Sequence, residues 1–355
     1  MKKFRIAVLS VITACALLLT GTGCKKDSEL YFSNAFDTEY SLSAGYTETC
    51  VYDLTVDKNF NDELKKADKL NGIVNDISVM SGSYVTRLSV TPAVSGSAEQ
   101  WKGSDISNIN GINELFYLET ELKFTINVNG TACDEDTIVT KTYFCPKDFS
   151  YAPIHTTTEY DCTNLTIENN ALKIGRLVYT SSTVYNQASY VTVTTTPTAT
   201  QTIEDEYTFR SLIDNNQLLF ALRNVSIDVD SSSYIPTNSH AYKKVPTLKI
   251  TNKGNYAENY TLNANFNGAS PIAYNGQNVT VTHNSFTYCV SEKFNTGINN
   301  YLLIQSVATN KNSTATPATE ALPHRSLLIR YAQPVLAGGF IAGALVYTLS
   351  SVSVA

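Results

Sequence analysis

The chain has 355 residues, and its 32 acidic side chains against 26 lysines and arginines give a formal net charge of −6. This balance lacks the basic footprint of a nucleic-acid-binding protein, so we expect no nucleic-acid partner. Apolar residues make up 43% of the chain, which is enough for a hydrophobic core, while only 16% are charged. Thr, Ser, Asn and Tyr fill the difference, and this mixture favours strands and turns over helices.

The first residues have the layout of an export signal. A basic end, Met1 to Arg5, precedes an almost unbroken apolar run from Ile6 to Leu19. This run is too short to span a bilayer, which takes about 20 apolar residues. The small residues Gly21-Thr22-Gly23 follow and lead to Cys24. A cysteine at a newly cut terminus offers a thiol for acylation.

These features resemble a bacterial lipoprotein signal, in which a lipobox precedes the acceptor cysteine. The resemblance implies a signal peptide over 1–23, lipidation of Cys24 with acyl chains such as palmitate, and a protein held on the membrane surface of the bacterial cell envelope, facing outside the cytoplasm. Cys15 also follows a box-like sequence, but cleavage there would leave an apolar tail on the mature chain. An ordinary cleaved signal is the alternative. The resemblance covers the signal alone.

The mature chain begins with a predicted tether over 24–44, followed by strands. Apolar and polar residues alternate over Cys50–Val56, as in a half-buried strand. Leu118–Val128 alternates without error, and Asn129-Gly130 directly after it is a strong hairpin signal. We therefore predict a returning strand over 136–145.

A short helix is predicted near 61–77, where apolar residues recur at helical spacing. Two prolines then interrupt the alternation between 145 and 153, which indicates a domain boundary. The predicted units are an N-terminal β-rich domain over 45–153 and a C-terminal β-sandwich-like domain over 154–355. Many short strand candidates separated by turn residues favour an all-β fold of mainly antiparallel β-sandwich domains.

The C-terminal end, residues 334–355, carries no charged side chain. One interpretation is a membrane segment, because Gly339 and Gly343 have the spacing of packed membrane helices. The other is a final strand over Phe340–Val354, buried on both faces in the middle of a sheet. We favour the strand, since the uninterrupted apolar run stops short of about 20 residues.

The sequence contains no recognisable catalytic or metal-binding constellation. The four histidines lack carboxylate or cysteine neighbours at ligand spacing, and no C-x-x-C occurs. Asp57–Glu63 alternates oxygen side chains as a calcium loop does, but Gly and Glu are missing from the required positions, so a solvated turn is preferred. We expect no metal, no cofactor and no enzymatic activity. The cysteines are expected to be mostly buried free thiols, with a disulfide among Cys133, Cys145 and Cys162 as an alternative.

Tyrosine is the abundant residue suited to contacts, with 22 copies against the single Trp101. Its ring offers a flat apolar face with a polar tip, although many tyrosines simply half-bury in strands. Trp101 lies in a polar loop and is the ligand-contact candidate, with a small satellite core as the equal alternative.

The sequence thus predicts an envelope-anchored lipoprotein that acts as a non-catalytic binding, adhesion or assembly-scaffold protein. Its partners would be the membrane, through the lipid anchor, and a glycan or a protein. One alternative is a glycan-capturing accessory or polysaccharide-active enzyme. Another is a pilus-like subunit that donates its last strand to the sheet edge of a neighbour.

Overall fold

The computed structural model describes seventeen ranges of the chain. Most residues in these ranges belong to β-strands, and very few are helical. The described residues are 42, 44–56, 77–93, 104–108, 111–169, 171–207, 209–210, 212–217, 219–220, 223, 263–288, 293–295, 300–302, 305–309, 315–316, 327–337 and 340–355. Single turns of 3-10 helix occur at Asp105–Asn108, Lys147–Phe149 and Asn215–Gln217.

The described strands are numbered in chain order. They are β1 Thr47–Val56, β2 Ile77–Pro92, β3 Glu114–Val128, β4 Thr131–Ala132, β5 Asp136–Phe144, β6 Pro153–Glu168, β7 Ala171–Tyr185, β8 Ser189–Thr195, β9 Thr200–Glu206, β10 Asn263–Tyr274, β11 Gln277–Tyr288, β12 Lys293–Asn295, β13 Asn300–Leu302, β14 Gln305–Thr309, β15 Ala315–Thr316, β16 Leu328–Ala337 and β17 Phe340–Val354.

Most strands belong to one large sheet. Its order is β10-β11-β14-β16-β17-β1-β2-β3-β5-β6-β7-β8-β9, and every pairing along this path is antiparallel. β10 also pairs in parallel with β17. The five strands β10, β11, β14, β16 and β17 at one end of the path therefore form a closed ring. The expected all-β fold with mainly antiparallel pairing is confirmed.

The predicted domain boundary lies between two neighbouring strands of this sheet. β5 and β6 lie on either side of it and pair along most of their length, with Thr142 opposite Thr156. The first and last described strands, β1 and β17, are also neighbours. Hydrogen-bonded pairing therefore continues across the boundary, and the division into two domains stays a prediction.

The predicted hairpin turn is confirmed at Asn129-Gly130. Both residues have positive φ, 52° and 83°, as the type I′ two-residue hairpin turn requires. Glycine has no steric cost at this φ, and asparagine tolerates it better than most residues. The returning strand β5 ends at Phe144, one residue before the predicted end.

The last strand, β17, has the predicted bounds and lies between β16 and β1. Leu345, Val346 and Tyr347 are consecutive and all buried. Because successive side chains point to opposite faces, both faces of the strand are covered here. The structure thus supports the strand interpretation of the charge-free end. The predicted helix near 61–77 lies outside the described residues except for Ile77, which begins β2.

No helix in the described part of the chain has the length and apolar character needed to cross a membrane.

Two hydrophobic clusters stabilise the described part of the fold. The larger one packs against the face of β3 that carries Phe116, Leu118 and Phe124. We call this face of the sheet the inner face. The smaller cluster includes Ile106, Leu115 and other buried residues around Cys145. Burial of a side chain of this size contributes roughly 1.5–3 kcal/mol.

Candidate functional site

A row of aromatic and aliphatic side chains crosses the inner face at right angles to the strands. Each member lies opposite the next in the register of neighbouring strands. Such positions project from the same face and are about 4.8 Å apart from strand to strand. From β1 to β7 the row consists of Tyr52, Tyr84, Leu122, Ile138, Tyr160 and Tyr179.

Burial decreases along this row. Tyr52 is 2% exposed and Tyr84 9% exposed, and both belong to the larger hydrophobic cluster. The remaining four side chains are half-buried, and we call them the tyrosine row: Leu122, Ile138, Tyr160 and Tyr179. The row therefore begins in the core and ends on an accessible surface.

The accessible end of the tyrosine row is a stacked pair. The rings of Tyr160 and Tyr179 have centroids 4.6 Å apart and planes inclined by 12°. A pair of this kind contributes about 0.5–1.5 kcal/mol beyond its area burial. Burial raises the pKa of Tyr179 to about 12 and that of Tyr160 well above its ordinary value. Both hydroxyls are therefore neutral at physiological pH and can donate hydrogen bonds.

A second row, made of hydroxyl-bearing residues, lies beside the tyrosine row. We call it the hydroxyl row, and from β3 to β7 it consists of Thr120, Thr140, Thr158 and Ser181. Thr120 and Thr140 hydrogen-bond to each other, and Asn216 Nδ2 donates to Thr158 Oγ1 at 3.4 Å. Thr158 and Ser181 are half-buried, as is the neighbouring stacked pair. Neither row contains a charged side chain.

A buried carboxyl group lies beside the hydroxyl row, next to Thr156 of β6 and Tyr185 of β7. Asp214 is 4% exposed, and it accepts hydrogen bonds from the Tyr185 hydroxyl and from the backbone N–H of Asn216 at 2.7 Å. Thr156 is a further hydrogen-bond partner, and burial raises the pKa of Asp214 above its ordinary value. Gln217 fixes the same segment, since its Oε1 accepts from the Asp214 N–H at 2.9 Å. This arrangement holds residues 212–217 against the sheet.

A buried ion pair connects a distant segment to β1. Arg223 donates to both carboxylate oxygens of Glu48, at 2.6 Å from Nη1 and 2.9 Å from Nη2, and both side chains are buried. The Tyr46 hydroxyl donates to Glu48 Oε2 at 3.1 Å, and the Cys50 thiol lies 3.4 Å from Oε1. With donors on both oxygens, Glu48 is a structural carboxylate.

An exposed arginine orders the start of β5. Arg176 donates to Asp136 Oδ1 and to Asp161 Oδ1, each at 2.9 Å, and also to the carbonyl oxygens of Glu135 and Asp161. Thr163 donates to Asp136 through its backbone N–H and its hydroxyl. Arg176 and the carboxylates of Asp136 and Asp161 thus find their hydrogen-bond partners within the chain, which indicates a structural role for Arg176.

The cysteines of the described part are free thiols, and Cys50, Cys145 and Cys162 are buried, as expected. Burial raises the pKa of Cys162 to about 12, so its thiol stays protonated and is a poor nucleophile. Cys133 is half-buried, and burial raises the pKa of its thiol as well. The alternative of a disulfide among Cys133, Cys145 and Cys162 is wrong, because all three are free.

The residues predicted to carry function, Cys24 and Trp101, lie outside the described residues. Of the histidines, His155 has a described side chain, which hydrogen-bonds Ser182 Oγ at 3.0 Å; burial lowers its pKa, so the ring is neutral. Within the described ranges, no three His, Cys, Asp or Glu side chains converge as a metal site would require.

The sequence contains a local signal for the stacked pair, an asparagine at the end of β6. Asn169 directly follows β6 and has φ of 52°, a value typical of a residue in a tight hairpin turn. Counting outward from this turn pairs Glu168 with Ala171 and, further out, Tyr160 with Tyr179.

No protein-family model and no curated protein sequence matches the chain. The chain is similar in structure to a beta-barrel-like protein of the domain of unknown function DUF1849 from Brucella abortus. The similarity covers 88% of this chain and 100% of that chain, with 8% sequence identity and a TM-score of 0.30. At this level it assigns neither a function nor a site.

Proposed function

We propose that the protein is an envelope-anchored lipoprotein that binds a neutral glycan without catalysis, through the tyrosine row and the hydroxyl row. The observation that carries this proposal is the half-buried stacked pair Tyr160 and Tyr179 beside uncharged hydroxyl side chains. The lipid anchor at Cys24 is part of the proposal and rests on the signal resemblance.

The chemistry of the two rows favours a sugar over other ligands. Aromatic rings offer flat apolar surfaces to the C–H faces of a sugar ring, while their polar tips and adjacent hydroxyls exchange hydrogen bonds with its hydroxyl groups. Because neither row has a charge, an anionic or cationic ligand would lose its hydration without a counter-charge in return.

The glycan proposal is tested by a glycan array and calorimetric titration with the full chain. Tyr160→Ala and Tyr179→Ala should each weaken sugar binding by about 2- to 12-fold, which corresponds to one aromatic contact. Tyr117→Ala is the matched control, because Tyr117 pairs with Tyr143 across β3 and β5 on the opposite face, with ring centroids 4.7 Å apart. Absence of sugar binding, or equal affinity in all variants, would contradict the proposal.

The anchor is tested separately by mass spectrometry of the N-terminal peptide from the native membrane fraction. We expect acyl chains on Cys24 and release of the Cys24→Ala protein from membranes. An unmodified terminus would refute the anchor and leave the glycan surface untouched.

The pilus-like alternative has less support. It needs a last strand that is free to leave its own sheet, whereas β17 pairs with β16 and β1 of the same chain.

A further inference from the structure

β9 forms one end of the large sheet. It pairs with β8, and no other described strand pairs with it. Six of its seven residues are exposed. An edge of this kind presents unpaired backbone N–H and C=O groups to any strand that can approach.

The register with β8 determines which backbone groups face outward. Tyr207 N donates to Ala188 O at 2.9 Å, and Thr196 N donates to Ala199 O at 2.8 Å, so these two opposite pairs are hydrogen-bonded. Such pairs alternate with non-bonded pairs along an antiparallel ladder. The backbone N–H and C=O groups that point away from β8 therefore belong to Thr200, Thr202, Glu204 and Glu206.

The charges of β9 are all in its second half. The strand reads Thr-Gln-Thr-Ile-Glu-Asp-Glu, with hydroxyl and amide side chains first and three acids last. Acidic residues on an edge usually block pairing. Here they block it only in those registers that place acid opposite acid.

The register centred on Ile203 avoids this conflict and also pairs all seven residues of the strand. In an antiparallel pair of two β9 strands centred on Ile203, Glu204 lies opposite Thr202, Asp205 opposite Gln201 and Glu206 opposite Thr200. The outward backbone groups of both copies then meet each other along the whole strand. A shift by two residues towards the acids would place Glu204 opposite Glu204 of the second copy and is disfavoured by like-charge repulsion. A shift by two residues in the other direction, centred on Thr202, leaves only five residues of β9 paired with each other.

We propose that β9 is an interaction surface for a second copy of this chain, and that two copies pair antiparallel through their β9 edges with Ile203 at the twofold axis. The sheet of one copy continues into the sheet of the other. Full overlap of the two strands favours this register, and the acids at 204–206 disfavour the register that is shifted towards them. This inference is independent of the glycan surface, which lies on other strands.

Cysteine cross-linking of the full chain tests the register. Opposite residues of a non-bonded antiparallel pair have Cα atoms about 4.5 Å apart, within the range for a disulfide. Ile203→Cys should therefore form a covalent dimer under mild oxidation. Glu206→Cys is the control on the same strand, since the two copies of position 206 would be about 20 Å apart.

Charge variants at the exposed Gln201 test the same register without an oxidant. Gln201→Glu places a carboxylate opposite Asp205 twice and should weaken the dimer by about 2- to 30-fold in sedimentation equilibrium. Gln201→Lys should tighten it by a similar factor. A chain that is monomeric at every concentration overturns the proposal. A dimer whose affinity is the same in both Gln201 variants, and which does not cross-link through Ile203→Cys, overturns the proposal as well, because its interface then lies elsewhere.

Discussion

Asp214 is a carboxyl group whose environment favours the protonated form. Its burial in the folded protein raises its pKa, whereas in the unfolded chain it titrates near pH 4. The folded state therefore binds this proton more tightly, and the associated stability is present below the unfolded pKa. It is lost as the pH rises from about 4 through the raised pKa of the folded state.

We expect Asp214→Asn to remove this part of the pH dependence, because the amide cannot ionise and its oxygen can still accept from Asn216. Urea unfolding of both proteins between pH 4 and pH 7 measures the effect. The free energy of unfolding of the variant should fall less with pH than that of the native protein. Parallel curves would show that Asp214 does not carry the effect.

The buried pair of Glu48 and Arg223 makes a second prediction at the residue scale. Arg223→Met leaves a buried carboxylate without its counter-charge and should cost about 3–5 kcal/mol of unfolding free energy. The double variant Glu48→Gln with Arg223→Met should recover part of this loss, because no charge is then buried. Chemical denaturation of the double-mutant cycle measures the coupling, and additive single effects would rule out the pair as a stabilising unit.

At the scale of elements, the hairpin turn after β3 depends on one glycine. Gly130 has φ of +83°, and a Cβ added there meets nothing within 4 Å. The cost of Gly130→Ala is therefore one of backbone conformation, about 1–2 kcal/mol. Gly175→Ala on β7 is the matched control, because its φ is ordinary and its nearest neighbour is 3.9 Å away. Thermal unfolding should show a loss for the first variant and little change or a gain for the second.

An element can be predicted from the sequence when the residues that reveal it lie within the element itself or in an adjacent turn. β3 and β17 were predicted because alternation and an uncharged apolar run reveal strands by themselves. The Asn129-Gly130 turn likewise predicts that a strand returns along β3. The tyrosine row depends instead on the register of many strands in succession, and a single alternation pattern does not specify which strand lies beside which. Counting outward from the Asn129-Gly130 turn pairs Leu122 with Thr137, whereas the structure pairs it with Ile138 because the register shifts by one residue between β4 and β5. The contact of Tyr52 with Tyr84 requires a pairing of β1 and β2 that no short turn sets.

At the scale of the whole molecule, the fold is joined where its first and last described strands meet. Thr47 and Ala355 exchange backbone hydrogen bonds of 3.0 Å, and β17 supplies Leu345, Tyr347, Leu349 and Val352 to the larger hydrophobic cluster. The sheet thus depends on residues from both ends of the sequence.

Deleting residues 340–355 should therefore abolish cooperative unfolding, since it removes these core side chains and exposes β1 and β16 as unpaired edges. Circular dichroism during heating measures the transition. Removing residues 354–355 alone is the control and should lower the midpoint only slightly, because it leaves the buried part of β17 in place. A sharp, unshifted transition after the full deletion would show that β17 is dispensable.

The central position of β1 also has a mechanical consequence. The strand is held on both sides, with nine register partners in β17 and seven in β2. A pull along β1 from its N-terminal end loads both ladders in shear, so that many hydrogen bonds must rupture together instead of opening one after another. A body tethered through that end would resist drag from flow or from a captured polymer far better than one hung from a strand that can be peeled away.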